Sequence, residues 1–134
     1  MNLPHDIKVS VSKLSSCFRN TSATYKFYWL FPTAEEFGNK GWEEYLSGRY
    51  DECLSYSRKA LEIDNTLWYA QYNVALIYLI QENPRAFEKY TAISQFCGDV
   101  SVYIGAYNDI IEYENKNGKI KNSEPIKLLL KSKI

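Results

Sequence analysis

The stretch from Phe37 to Asp64, FGNKGWEEYLSGRYDECLSYSRKALEID, decides how this chain is read. Apolar and aromatic residues recur at helical spacing on both sides of Ser47-Gly48-Arg49, so it predicts two amphipathic helices joined by a tight turn. The following stretch repeats the plan. Trp68 to Gln81 is again an apolar helix, and Pro84 to Ser94 is again a shorter partner. Gly41 pairs with Ala75, Trp42 with Leu76 and Tyr45 with Leu79, all at one interval, a period of about 34 residues. Self-similarity at such a period is the mark of helix pairs that bury one another, and it directs the functional reading toward binding rather than chemistry.

Local signals place the elements. Thr33-Ala34-Glu35-Glu36 has the form of a capping box, so the first helix is expected over about 34–46. Gly48 supplies the left-handed residue after it. The second helix is expected over about 50–63, with Asp51 and Glu52 at its positive end. Asp64-Asn65-Thr66 connects, and Asn65 or Thr66 is the expected cap of a third helix over about 67–81. Glu82-Asn83-Pro84 turns the chain, Asn83 being the candidate cap, into a helix over about 85–94. Further helices are expected over about 100–113 and 126–131, with Asn115 to Asn122 a polar loop. The last helix is suited to cover an exposed end of the stack, which a repeat array requires.

Before residue 33 the reading is thinner. Ile7, Val9 and Val11 alternate with polar residues as in a strand, while Ser10 to Phe18 reads equally well as a short helix. An aromatic-rich helix is expected at about 22–31, ended by Phe31-Pro32. The organisation is therefore an N-terminal extension, 1–32, and a repeat domain, 33–134, with pairs at about 34–64, 67–95 and a degenerate 99–131. Tyr25, Phe27, Tyr28, Trp29 and Phe31 need a surface to bury against and are expected to pack on the first repeat, either in its groove or as an N-terminal cap of the stack.

Composition narrows the function. Lys plus Arg equals Asp plus Glu, 16 each, so no net field steers the chain to nucleic acid or an anionic membrane. The basic tail (Lys127, Lys131, Lys133) reads as a solubilising end. The three cysteines, Cys17, Cys53 and Cys97, are widely spaced with no Cys-x-x-Cys, so neither a disulfide framework nor a zinc site is expected. Cys53 reads as a small core thiol. His5 is the only histidine, no phosphate loop occurs, and the pairs Glu35/Glu36, Glu43/Glu44 and Asp51/Glu52 read as solvated helix faces. Catalysis, a metal or another cofactor is not expected. No signal peptide is seen, and Ala23 to Phe31 is too short to span a bilayer, so a cytoplasmic protein with no membrane segment is expected.

The same residues resemble the tetratricopeptide repeat family. Gly41 and Ala75 stand at its small crossing position. Gly48 and Tyr50 match its Gly-x-Tyr, and Cys53 stands for its usual alanine. Ala60-Leu61-Glu62-Ile63-Asp64 matches its helix ending, and Ala86 and Tyr90 resume the pattern after a turn one residue short. The resemblance implies an all-α fold of antiparallel helix-turn-helix repeats stacked as a short right-handed superhelix. It also implies a concave groove that takes a protein or peptide partner, with Trp42, Tyr45, Leu46, Tyr69, Tyr72, Asn73, Leu76 and Leu79 as groove side chains. One subgroup clamps a C-terminal carboxylate. Asn73 fits that clamp, but Gly38 and Trp42 stand where it needs Lys and Asn. The alternative to partner binding is self-association as a homodimer through the extension or the open repeat end. Separately, residues 14–31 resemble the opening of some bacterial proteins that carry an HNH endonuclease domain. The part that carries nuclease chemistry has no counterpart here, which leaves only a regulatory fragment of a nucleic-acid-processing protein as a third reading.

Overall fold

Gly41 sets the distance between the first two helices. The computed structural model describes residues 31–134, and in it a Cβ at Gly41 would lie 2.8 Å from Ser57 Oγ and 3.3 Å from the Cys53 carbonyl oxygen. The facing stripe is correspondingly small, with Cys53, Ser57 and Ala60 all fully buried. These residues join α1 (Ala34–Leu46) to α2 (Tyr50–Ile63). Cys53 is the core thiol expected. Burial pushes it above the usual thiol range, with Ser57 Oγ 3.9 Å away acting in the other direction.

The remaining elements are α3 (Trp68–Ile80), α4 (Ala86–Phe96), α5 (Val100–Asn117) and α6 (Ser123–Ser132). The described residues are thus all-α, with no strand among them, and Ala34–Ile134 forms one compact unit. Each of α1, α2 and α3 packs on the next helix, and α5 packs on α6. Helices α1, α3 and α5 also touch in succession, as do α4 and α6. The expected helix at 22–31, with Cys17 and His5, lies outside the described residues.

The α1–α2 turn is built from three backbone bonds: Ser47 N–H to Glu43, Gly48 to Tyr45 and Arg49 to Glu44. The α3–α4 turn has the same three, each one repeat period later: Gln81 to Ile77, Glu82 to Leu79 and Asn83 to Tyr78. The missing residue is therefore taken not from the turn but from the first turn of α4. That helix starts only at Ala86 and has 11 residues against 14 in α2. The Asn83 side chain accepts the Arg85 N–H at 2.9 Å across this gap.

Other expectations change. Neither Asn65 nor Thr66 caps α3. Instead the Asp64 carboxylate accepts from the Thr66 N–H (2.9 Å) and hydroxyl (2.6 Å), and Leu67 begins the helix with no side-chain cap. The helix expected at 100–113 runs to Asn117, where Gly118 (φ 93°) ends it. Residues 115–117 are polar, but at a helix end facing solvent polarity costs nothing. The loop shrinks to 118–122, and α6 begins at Ser123.

The main core joins α3 to α4, α5 and α6 through Leu76, Leu79, Tyr90, Ile110, Ile126 and Leu130. A smaller cluster of Phe37, Ala60 and Ala70 joins α1, α2 and α3.

Candidate functional site

The last turn of α1 carries Trp42, Tyr45 and Leu46 at one side of a cleft of about 350 Å³. The turn that follows adds Ser47, Gly48 and Tyr50. The C-terminal half of α5 supplies the opposite wall, with Asp109, Glu112, Tyr113, Lys116 and Asn117. The spacing explains why these residues meet. Tyr113 lies one repeat period after Leu79 and two after Tyr45, so the same helical face recurs in α1, α3 and α5.

The aromatic wall is ordered by ring contacts. Trp42 and Tyr45 stack with centroids 4.6 Å apart and an interplanar angle of 19°. Tyr45 meets Tyr50 at 5.7 Å and 38°. Trp42 and Tyr45 are half-buried because their inner edges lie on the main core, while Leu46 is 64% exposed. Burial, then Tyr50 and Asp109, push the Tyr45 hydroxyl well above the ordinary phenol range. Burial and the neighbouring Tyr113 phenol also raise Tyr50.

The acidic wall has a different character. Asp109 is half-buried, and its carboxyl is pushed up to about 7, first by burial and then by repulsion from Glu112. No cation among the described residues offsets either cause. Glu44, between Trp42 and Tyr45 in sequence, is buried and paired with Arg49 and, at 3.9 Å, Lys40. That corrects the reading of Glu43/Glu44 as a solvated pair: Glu43 is exposed, whereas Glu44 reaches back across the turn to Arg49.

Of the eight groove residues expected, Trp42, Tyr45 and Leu46 line this cleft and the other five do not. Tyr72, Leu76 and Leu79 are core residues, 2–3% exposed. Tyr72 also hydrogen-bonds Ser94 Oγ at 2.8 Å. Asn73 is buried, and its Nδ2 has no hydrogen-bond partner among the described residues. Tyr69 sits at the α1–α3 crossing, where its hydroxyl donates to the Glu35 carbonyl at 3.3 Å and its ring fills the space that Gly38 leaves open. The physical reason is common to all five. Helix α3 is packed by α1, α2, α4 and α5, so little of its surface is left to line a groove. Among the repeat positions, Gly41, Cys53, Ala60, Ala75 and Ala86 are buried, while Gly48 forms the left-handed turn (φ 79°) and Tyr50 joins the cleft wall.

Asp109, Glu112, Tyr113 and Lys116 were not anticipated from sequence. The repeat period extended once more would have found Tyr113, but no local motif marks the other three. Among the described residues no cluster of His, Cys, Asp or Glu is arranged to hold a metal ion, and no helix is long and apolar enough to cross a membrane. Compared with known proteins, the chain matches no family model, no curated protein and no solved structure.

Proposed function

We propose that this chain is a non-catalytic binding module of the tetratricopeptide-like kind, and that the cleft between α1 and α5 takes a segment of a protein or peptide partner. The observation that carries this is the cleft itself: a ladder of three aromatic rings beside an exposed leucine, at one end of a rigid helical frame. Large, rigid aromatic side chains provide contact area at low entropic cost, which is why such walls act as binding anchors. The turn bonds that recur one period apart support the repeat resemblance. Buried, unbridged Cys53 and Cys97 fit a reducing compartment such as the cytoplasm.

Selection of random peptides displayed on phage tests the reading. Peptides enriched on the wild-type protein are expected to lose at least tenfold in affinity for Tyr45→Ala and for Leu46→Asp. Peptides that bind both variants as well as wild type would place recognition elsewhere and overturn it.

A second reading is association between copies, and it draws on Phe96 and Leu128, which are 75% and 67% exposed. Light scattering across a concentration series separates the two. A mass that stays at one chain's value removes self-association.

A further inference from the structure

We propose that the cleft recognises a positively charged side chain, lysine or arginine, of the segment it binds. This rests on the reading of the cleft as a binding site and adds the ligand's chemistry.

The argument begins with the two walls. Trp42, Tyr45 and Tyr50 line one wall, and Trp42 and Tyr45 cover one face of each other; a ring face left uncovered carries a negative quadrupole that attracts a cation within about 6 Å of the centroid. The protein already uses this contact internally: Lys89 Nζ lies 4.7 Å over Tyr78, and Lys59 Nζ lies 5.2 Å over Tyr56. Among the described residues no cation lies over the three cleft rings. Across from them, Asp109 and Glu112 sit at i and i+3 on one face of α5. Lys116 is exposed at the rim, and no ion pair joins it to either carboxylate among the described residues.

The alternatives fare worse. An anionic group would enter against two carboxylates with only a rim lysine to attract it. A neutral apolar side chain would desolvate Asp109 further without giving it a partner, which is unfavourable. A guanidinium or ammonium satisfies both walls at once, with rings on one side and carboxylates on the other. Burial has already removed part of the water around Asp109, so the ion pair it forms is less screened than one at the open surface.

The same geometry gives a pH dependence. Asp109 faces Glu112 and Lys116 along its own helix, Tyr45 on α1 and Tyr90 on α4. Both phenols are shifted upward by burial and stay neutral through the physiological range. Asp109 ionises near pH 7, so cation binding strengthens as pH rises through that value and weakens below it.

The test is a nuclear magnetic resonance titration of the isotope-labelled full chain with three probes: acetyl-arginine methylamide, acetyl-lysine methylamide and acetyl-norleucine methylamide. At pH 8 at least one cation is expected to bind tenfold tighter than the norleucine probe, with shifts centred on Trp42, Tyr45 and Tyr113. A preference for arginine identifies stacking of a planar guanidinium, and a preference for lysine a compact ammonium; either supports the proposal. Asp109→Asn should abolish the preference. Glu112→Gln, at an exposed position lining the cleft, should reduce it with the fold unchanged. The wild-type preference should shrink several-fold at pH 5.5. Equal affinities for the three probes, or a preference unchanged in both variants, overturns the cation. If the displayed peptides still need Tyr45 in that case, the cleft stands and only its ligand chemistry falls. No shifts at those three residues with any probe, and no peptide enriched on the cleft, overturns both.

Discussion

At the scale of single residues, Gly41 shows what a sequence can reveal. A glycine inside a strong helix costs about 1 kcal/mol of propensity relative to alanine, so its presence calls for a packing reason. The structure supplies one in the fully buried Ser57 and the Cys53 carbonyl, which leave no room for a side chain. Gly41→Leu is therefore expected to destabilise the protein by about 1–3 kcal/mol or more through overpacking. Chemical denaturation reads this directly, and an unchanged midpoint would remove Gly41 from the helix crossing. Asp109 shows the opposite case. It occupies the position one period beyond Ala75 and two beyond Gly41, both of them small residues. An aspartate there looks like a mismatch in one dimension, and only in three dimensions does it become the polar wall of a cleft.

At the scale of elements, helix bodies and the ends of α1 and α2 were legible, while the ends of the later helices were less so. The boundaries of α1 and α2 follow from a turn glycine and two amphipathic stripes, which are strong local signals. The expected cap of α3 is absent because acceptors compete. Asp64 outcompetes Asn65 by serving both groups of Thr66, and Asp99 does the same for Ser101, accepting its N–H at 2.9 Å and its hydroxyl at 2.7 Å. Asp-x-Thr and Asp-x-Ser are thus one device, used at both boundaries between helix pairs. The turns carry a further consequence. Gly48 and Glu82 stand one period apart with the same hydrogen bonds, at φ 79° and 56°. Glycine takes that conformation freely, whereas a residue with a Cβ is strained there by roughly 1–2 kcal/mol. Glu82 is exposed, and no hydrogen bond or ion pair of its side chain is present among the described residues to offset the strain. Glu82→Gly should stabilise the protein by about 1 kcal/mol, which for a unit of this size is an increase of about 4–8 °C in Tm. A lower Tm for that variant would mean that the side chain does something beyond the turn.

At the scale of the whole molecule, the way the helices pack on one another decides which residues face solvent. Helix α3 is packed by four other helices, so Tyr72, Leu76 and Leu79 are core although the resemblance implies a groove for them. Sequence periodicity reports which face a residue occupies, not how many neighbours stack on that face. Helix α6 is then a weak point, because among the described residues it is held mainly by α5 and α4. It is fastened by Glu114, whose side chain is 10% exposed. That carboxylate accepts from Lys127 Nζ at 2.7 Å, Ser123 Oγ at 2.7 Å and the Ile120 N–H at 2.8 Å, binding α5, the 118–122 loop and α6 together. Burial alone would raise its pKa, but those three partners outweigh burial and hold it below the usual glutamate value. A carboxyl lowered in the folded state contributes stability that is fully present above its unfolded value, about 4.3, and is lost as pH falls through the folded one. Glu114→Gln is thus expected to cost about 1–3 kcal/mol near neutral pH, as loss of charged hydrogen bonds does, and to flatten the loss of stability below pH 4. The decisive measurement is amide hydrogen exchange at neutral pH. If the stack frays from this end, protection should fall in α6 and the last turns of α5 while the amides of α1 and α2 keep theirs. A uniform loss of protection from α1 to α6 would show instead that the helices unfold as one cooperative body, and that Glu114 supports the whole unit rather than its end.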